Sequence, residues 1–211
     1  MDENIANLIA SDLLEIKAVS FSTNPPYTWA SGIKAPIYTD NRLTIAYPRI
    51  REQIASSLAR VITTNFPDVS VIGGVATAGI PHAALVSQNL NLPMIYVRSQ
   101  PKDHGKGRQL EGKLQAGDQV VLIDDLISTG GSVLKAVAAV RALDIEVLGV
   151  AAIFNYQLPD ATANFKTAEV PLVTLTDYDH LIQQASQQHY LAAQDVASVQ
   201  NWREDPWHWS N

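Results

Sequence analysis

The chain has 211 residues, no cysteine, and 21 acidic against 15 basic side chains, for a formal net charge of −6. Disulfides and thiolate chemistry are therefore excluded, zinc would depend on His and carboxylates alone, and a nucleic-acid partner gripped by a broad basic face is disfavoured. The N-terminal MDEN lacks the basic and apolar regions of a secretory signal, and no apolar run approaches the ~18 residues of a membrane span, so a cytoplasmic chain without membrane contact is expected.

In chain order, the spacing of Ile5, Leu8, Ile9, Leu13 and Ile16 predicts a helix over 2–17. A Pro- and Gly-punctuated segment follows, Ser20 to Arg42, in which YTWASG and APIYT read as two short strands around Ser31-Gly32. Ile50, Ile54, Leu58, Ile62 and Phe66 form one stripe of a helix over 47–66. The pattern then alternates between strand and helix: strand 69–75, helix 81–90, strand 93–98, a polar loop, strand 119–124, helix 132–143 and strand 146–154. Strands that are apolar throughout, separated by helices, predict an α/β protein with a parallel sheet covered on both faces. A strand over 170–175 and helices over 178–188 and 192–203 complete the reading. The whole reads as one domain: a small N-terminal hood over about 1–45, an α/β core over about 46–176 and a helical tail over about 177–211. The tail holds three of the four tryptophans, which are expected to pack it against the body or a partner.

Ligands of open parallel sheets sit beyond the carboxyl ends of the strands. Three loops leave those ends, Gly73–Ile80, Ser99–Gly112 and Asp125–Gly131, and they are expected to converge on one crevice. The third follows VVLIDD and continues LISTGGS, Val120 to Ser132. Glycines there let backbone N–H groups approach a ligand, the helix N-terminus adds partial positive charge, and hydroxyls add donors, which together make a phosphate cup. Asp124 and Asp125 cannot bind phosphate. They suit vicinal sugar hydroxyls or a cation travelling with the ligand, so the two features side by side specify a phosphorylated ribose. A plain strand-to-helix turn, with Thr129 as N-cap and Asp125 solvated, is the bland alternative. Between Arg98 and Lys113 the chain is +3, with Lys102, Lys106 and Arg108 adding to the two ends against Asp103 and Glu111. A lone histidine such as His104 is usually only solvated, and His82 beside Pro81 reads as structural. Gly74-x4-Gly79 has P-loop spacing, but Ile80-Pro81 stands where Lys-Ser/Thr is required, and no G-x-G-x-x-G occurs.

Val120–Ser132 resembles, position for position, the signature of the type I phosphoribosyltransferases. YVRSQPKDHGKGRQLEG (96–112), with its Arg-x-x-x-Lys-x-His-Gly core, resembles the mobile catalytic loop of the orotate phosphoribosyltransferases, and WASGIKAPIYTDNR (29–42) is similar to their hood. The match spans 20–155 and is close to Gram-positive members. It implies the type I phosphoribosyltransferase fold and transfer of a phosphoribosyl group from 5-phosphoribosyl 1-pyrophosphate to orotate in UMP biosynthesis, with Mg²⁺ as cofactor. It implies Lys102, His104, Asp124 and Asp125 as catalytic residues. Donor contacts would come from these and from Arg98, Leu126, Ile127, Ser128, Thr129, Gly130, Gly131 and Ser132, and orotate contacts from Ser128 and Tyr38. No side chain is expected to ligate the metal directly. The family's Gly73–Ile80 loop holds pyrophosphate, often with a non-proline cis peptide, and its mobile loop crosses a homodimer to complete the neighbour's site.

The chain departs from other branches at Ala30 and Ser99, where many members carry basic residues, and at Asn155-Tyr156, where others carry an orotate-binding arginine. The orotate carboxylate then falls to hood N–H groups, Arg42 or Ser128. A purine or uracil phosphoribosyltransferase is the alternative within the class. A non-catalytic sensor of the donor is the alternative outside it, though residues 1–45 show no basic helix-turn-helix pattern.

Overall fold

The computed structural model describes residues 2–29, 31–100 and 109–209. Helix α1, Glu3–Glu15, starts where the Asp2 carboxylate accepts from the amides of Asn4 and Ile5, and it buries Ala6, Ile9, Ala10, Leu13 and Leu14. The hood consists of two antiparallel ribbons: β1 Val19–Phe21 with β4 Ile37–Thr39, and β2 Tyr27–Thr28 with β3 Lys34–Ala35. APIYT is therefore not one strand. Pro36, which has no N–H, separates β3 from β4, and its carbonyl accepts from the Ser22 amide. A 3₁₀ helix, Asn41–Ala46, leads into α2, Pro48–Asn65, which has proline in its first turn and Ile50, Ile54, Leu58 and Ile62 buried.

The core is one six-stranded sheet. Its strands are β5 Val71–Val75, β6 Met94–Val97, β7 Leu110–Glu111, β8 Gln119–Ile127, β9 Glu146–Asn155 and β10 Leu172–Asp177, in the spatial order β10-β9-β8-β5-β6-β7. All neighbours are parallel except the short edge strand β7, which the sequence pattern did not reveal. Alternate residues of each strand face opposite sides, so β8 sends Val121 and Ile123 into one core and Val120 and Leu122 into the other. The first core is closed by α1, α2 and α3 (Gly79–Leu90), and by the later helices α6 (Tyr178–Gln187) and α7 (Val196–Trp202). The second lies under α4 (Gly131–Arg141) and α5 (Pro159–Thr167). Helix α5 was not anticipated, because it buries only Ala161 and Phe165 and leaves almost no periodic signal. Among the described residues no helix is long and apolar enough to cross a membrane.

Two corrections bear on function. β8 runs three residues beyond the predicted end at 124, because β9 continues beside it and supplies register partners for Asp124, Leu126 and Ile127. Asp124 stands in the strand as expected, and Asp125 joins it there rather than opening the turn. The N-cap of α4 is Gly130, at φ +79°, not Thr129; no side chain caps the helix, and the Thr129 carbonyl accepts from Asn164 Nδ2. A Cβ at Gly130 would meet the Phe165 ring at 2.7 Å.

The tail is tied to the hood. Trp202 is fully buried, its N–H donates to the Lys34 carbonyl at 2.8 Å, and its ring meets Trp29 edge-on with centroids 5.3 Å apart.

Gly79 is where α3 touches β8 most closely, since a Cβ there would collide with the Ile123 carbonyl. That carbonyl belongs to a strand paired on both sides and cannot retreat. Gly79→Ala is expected to cost about 2–3 kcal/mol and to lower the thermal midpoint by roughly 5–10 °C, as read by circular dichroism.

Candidate active site

β5 leads through α3 to β6 on one side of the sheet, whereas β8 leads through α4 to β9 on the other. The two strands are neighbours, so their carboxyl ends part and leave a crevice at the point where strand order reverses. A cleft of about 280 Å³ opens there. Its walls are Ala76–Ala78 after β5, Asp124–Leu126 on β8, Ser132 in α4, and Thr39, Asp40 and Arg42 from the hood. The Gly73–Ile80 and Asp125–Gly131 loops thus meet. A larger crevice, about 470 Å³, lies at the start of β10 beside Asp2 and Arg60, which are paired with each other, and it contains neither loop.

Asp124 is buried in β8, and its Oδ1 accepts from the Asp125 amide at 2.9 Å. Burial, then the neighbouring Asp125 charge, pushes the Asp124 carboxyl well above the usual carboxylate range. Burial also raises Asp125, against an opposing pull from Arg42. Two carboxyls are therefore held in a site that disfavours their charge, a state that hydroxyl donors or a cation would relieve.

The Ala76–Thr77 peptide is cis, within the loop where the resemblance implied such a bond. The Ile127 side chain is buried in the second core, so only its main chain can face a ligand. Leu126 lines the cleft, as does Ser132, whereas Ser128, Thr129 and Gly130 form the turn between them and Gly131 opens α4. Tyr38 stands on the exposed face of β4, its ring 5.7 Å from that of Tyr27 and outside the cleft lining, next to Thr39 and Asp40. Arg42 is gripped by Asp40 through Nε at 2.6 Å and a second nitrogen at 2.8 Å.

Arg98 closes the base of the Ser99–Gly112 loop. Its amide donates to the Gln109 carbonyl, Gln109 Nε2 donates back to the Arg98 carbonyl, and its guanidinium lies 3.7 Å from Glu111. Lys102 and His104 lie outside the described residues, as does Ala30. Tyr156 is buried among Trp29, Phe154, Tyr178 and Trp202, and the Asn155 side chain caps the amide of Gln157; both are occupied in the fold. His82 is buried and kept neutral, its pKa lowered to about 4 by desolvation.

Two contributors were missed from sequence. Asp40 lines the cleft, and Asn41 is buried behind it with its amide on the Asp125 carbonyl. The only available signal was the polar run Thr39-Asp40-Asn41-Arg42 straight after an apolar strand.

Residues 46–178 match the family model described as phosphoribosyl transferase domain. The chain is 59% identical to the orotate phosphoribosyltransferase of Levilactobacillus brevis over 97% of both chains, and 57% identical to that of Lactiplantibacillus plantarum over the same shares. Its fold resembles the crystal structure of orotate phosphoribosyltransferase from Aeropyrum pernix, with a TM-score of 0.74 at 24% identity, covering 87% of this chain and 99% of that one.

Proposed function

We propose a working of this site from one premise: the chain belongs to the orotate phosphoribosyltransferase family. The enzyme transfers the 5-phosphoribosyl group of 5-phosphoribosyl 1-pyrophosphate to orotate, giving orotidine 5′-phosphate and pyrophosphate in UMP synthesis.

The observation that carries the residue assignment is the acid pair, Asp124 buried and Asp125 half-buried, facing the cleft where β5 and β8 part. Asp124 and Asp125 accept hydrogen bonds from the ribose 2- and 3-hydroxyls. Their charge favours the positive centre that develops at the anomeric carbon as its bond to pyrophosphate oxygen breaks. The Ser128–Ser132 turn and the first N–H groups of α4 take the 5′-phosphate. Ala76–Ala78 faces the pyrophosphate, and Arg98, Lys102 and His104 neutralise it as it leaves with the bonding electrons, His104 supplying a proton to the departing oxygen. The pyrimidine nitrogen then completes the new bond to carbon with the electron pair of its N–H bond, and the proton it gives up goes to solvent, from which His104 is reprotonated. Tyr38, Ser128 and the hood hold orotate.

Mg²⁺ fits this donor set as a companion of the substrate. The acid pair disfavours its own charge and would welcome a cation beside the ribose. Bound to the donor's oxygens, the ion supplies charge neutralisation of the leaving group. The protein acts as a homodimer in which the 99–112 loop of each chain completes the other's site.

Purified protein with Mg²⁺ and 5-phosphoribosyl 1-pyrophosphate is expected to remove the near-ultraviolet absorbance of orotate. Turnover of a purine base or uracil in its place would reassign the substrate. Salt-sensitive retention on DNA with no transfer would reassign the class.

A further inference from the structure

Asn41 opens the 3₁₀ helix between hood and α2 and is only 1% exposed. Its Nδ2–H donates to the main-chain carbonyl of Asp125 at 2.7 Å. β5 pairs with β8 only as far as Ile123, so past that residue β8 has lost the strand on one flank. The Asp125 amide donates to Asp124 Oδ1. Asp125 is thus held through both its own N–H and its own C=O, and rotation of either peptide would swing its carboxylate across the cleft.

Asn41 is itself braced. Thr44 Oγ1–H donates to the Asn41 carbonyl at 2.6 Å, and His82 Nε2 lies 3.5 Å from that hydroxyl. Because the hydroxyl proton is committed to Asn41, the neutral imidazole presents its N–H there. His82 sits in the first turn of α3, just behind Ala76–Ala78. The series Asp125, Asn41, Thr44 and His82 therefore joins the acid pair, the hood and the loop after β5 through buried groups.

We propose that Asn41 is a positioning residue for this reaction, holding the Asp125 main chain so that its carboxylate meets the ribose hydroxyls. This rests on the reading of the acid pair given above. Loss of the amide leaves a carbonyl unpaired at the cleft wall and frees the peptide that aims the carboxylate.

The test uses two variants of the full chain. Asn41→Leu removes the donor while keeping the same number of side-chain heavy atoms and the same branching at Cγ. Asn41→Asp keeps the shape and donates to the Asp125 carbonyl only when protonated. The titratable and charged groups around that position are Asp124 and Asp125 on β8, Asp40 and Arg42 on either side of it, and neutral His82 on α3. The acidic neighbours and burial both favour the protonated form. Asn41→Leu is expected to lower kcat by about 10²-fold, with weaker calorimetric binding of Mg²⁺–5-phosphoribosyl 1-pyrophosphate. Asn41→Asp should regain activity relative to the parent enzyme, compared at each pH, as pH falls from about 8.5 to about 5.5. A folded Asn41→Leu enzyme with kcat within twofold of the parent overturns the proposal. If that variant does not fold, an Asn41→Asp ratio that stays flat with pH overturns it instead. Failure of the functional reading would look different, because the parent enzyme itself would be inactive.

Discussion

Asp124→Asn is expected to reduce turnover by about 10²–10⁴-fold while making the ligand-free protein more stable at neutral pH. The loss follows from replacing a charged acceptor of ribose hydroxyls with a neutral one, since each hydrogen bond to a charged group is worth about 1.5–3 kcal/mol. The gain follows from the raised carboxyl pKa, for which burial is the first cause and the Asp125 charge the second. A carboxyl whose folded pKa lies above its unfolded value binds its proton more tightly in the native state. Stability is therefore highest below the ordinary carboxylate range, falls as pH rises through the window up to the raised value, and stays reduced above it. Asparagine keeps an oxygen to accept the Asp125 amide and carries no charge. The difference in thermal midpoint between variant and parent should be near zero in acid, open across that window, and reach a few degrees at neutral pH, with about 2–4 °C for each kcal/mol. A variant less stable than the parent at pH 7 would show that the pair is not strained when empty. Asp125→Asn should behave in the same direction, with a smaller gain because hydrogen bonding with Asp124 and, after it, the Arg42 charge already offset part of the effect of burial.

Lys102→Ala and His104→Ala should each cut kcat by about 10²–10⁴-fold with no change in thermal midpoint. Pyrophosphate leaves with several negative charges, and without cationic donors the transition state loses its main neutralising partners beyond Mg²⁺. The segment PKDHGKGR contains no large apolar side chain that could be buried, so stability has little to lose. Mixing the Lys102→Ala and Asp125→Asn proteins separates a loop acting across a dimer from one acting within a chain. If the loop crosses, each heterodimer keeps one site with an intact loop and intact acids, and random mixing should restore about a quarter of parent activity. No recovery from verified heterodimers would place the loop on its own chain.

These predictions draw on different depths of information. The α/β core was legible because its strands are continuous apolar runs and its helices carry stripes of period 3.6, signals that do not depend on what packs against them. Three features were not legible. The extension of β8 past Asp124, through Asp125 to Ile127, ran against the local pattern, since two charges look like the end of a strand; only β9, lying alongside, makes ladder partners available there. Strands β1 and β7 span three and two residues, too few for any period to show. The burial of Asn41 depends on a carbonyl 84 residues away.

By itself, the sequence determined the chemical inventory: an acid pair followed by a small-residue cup, a cationic loop and a covered parallel sheet. These are matters of residue type and local spacing, and a chain carries them whatever its final topology. Tertiary structure decided which of those pieces meet. The order β10-β9-β8-β5-β6-β7 places β5 beside β8, so the loop after one faces the acids of the other and the hood closes over both. Long-range pairing sets that order through the summed burial of two cores, and no window of neighbouring residues contains it.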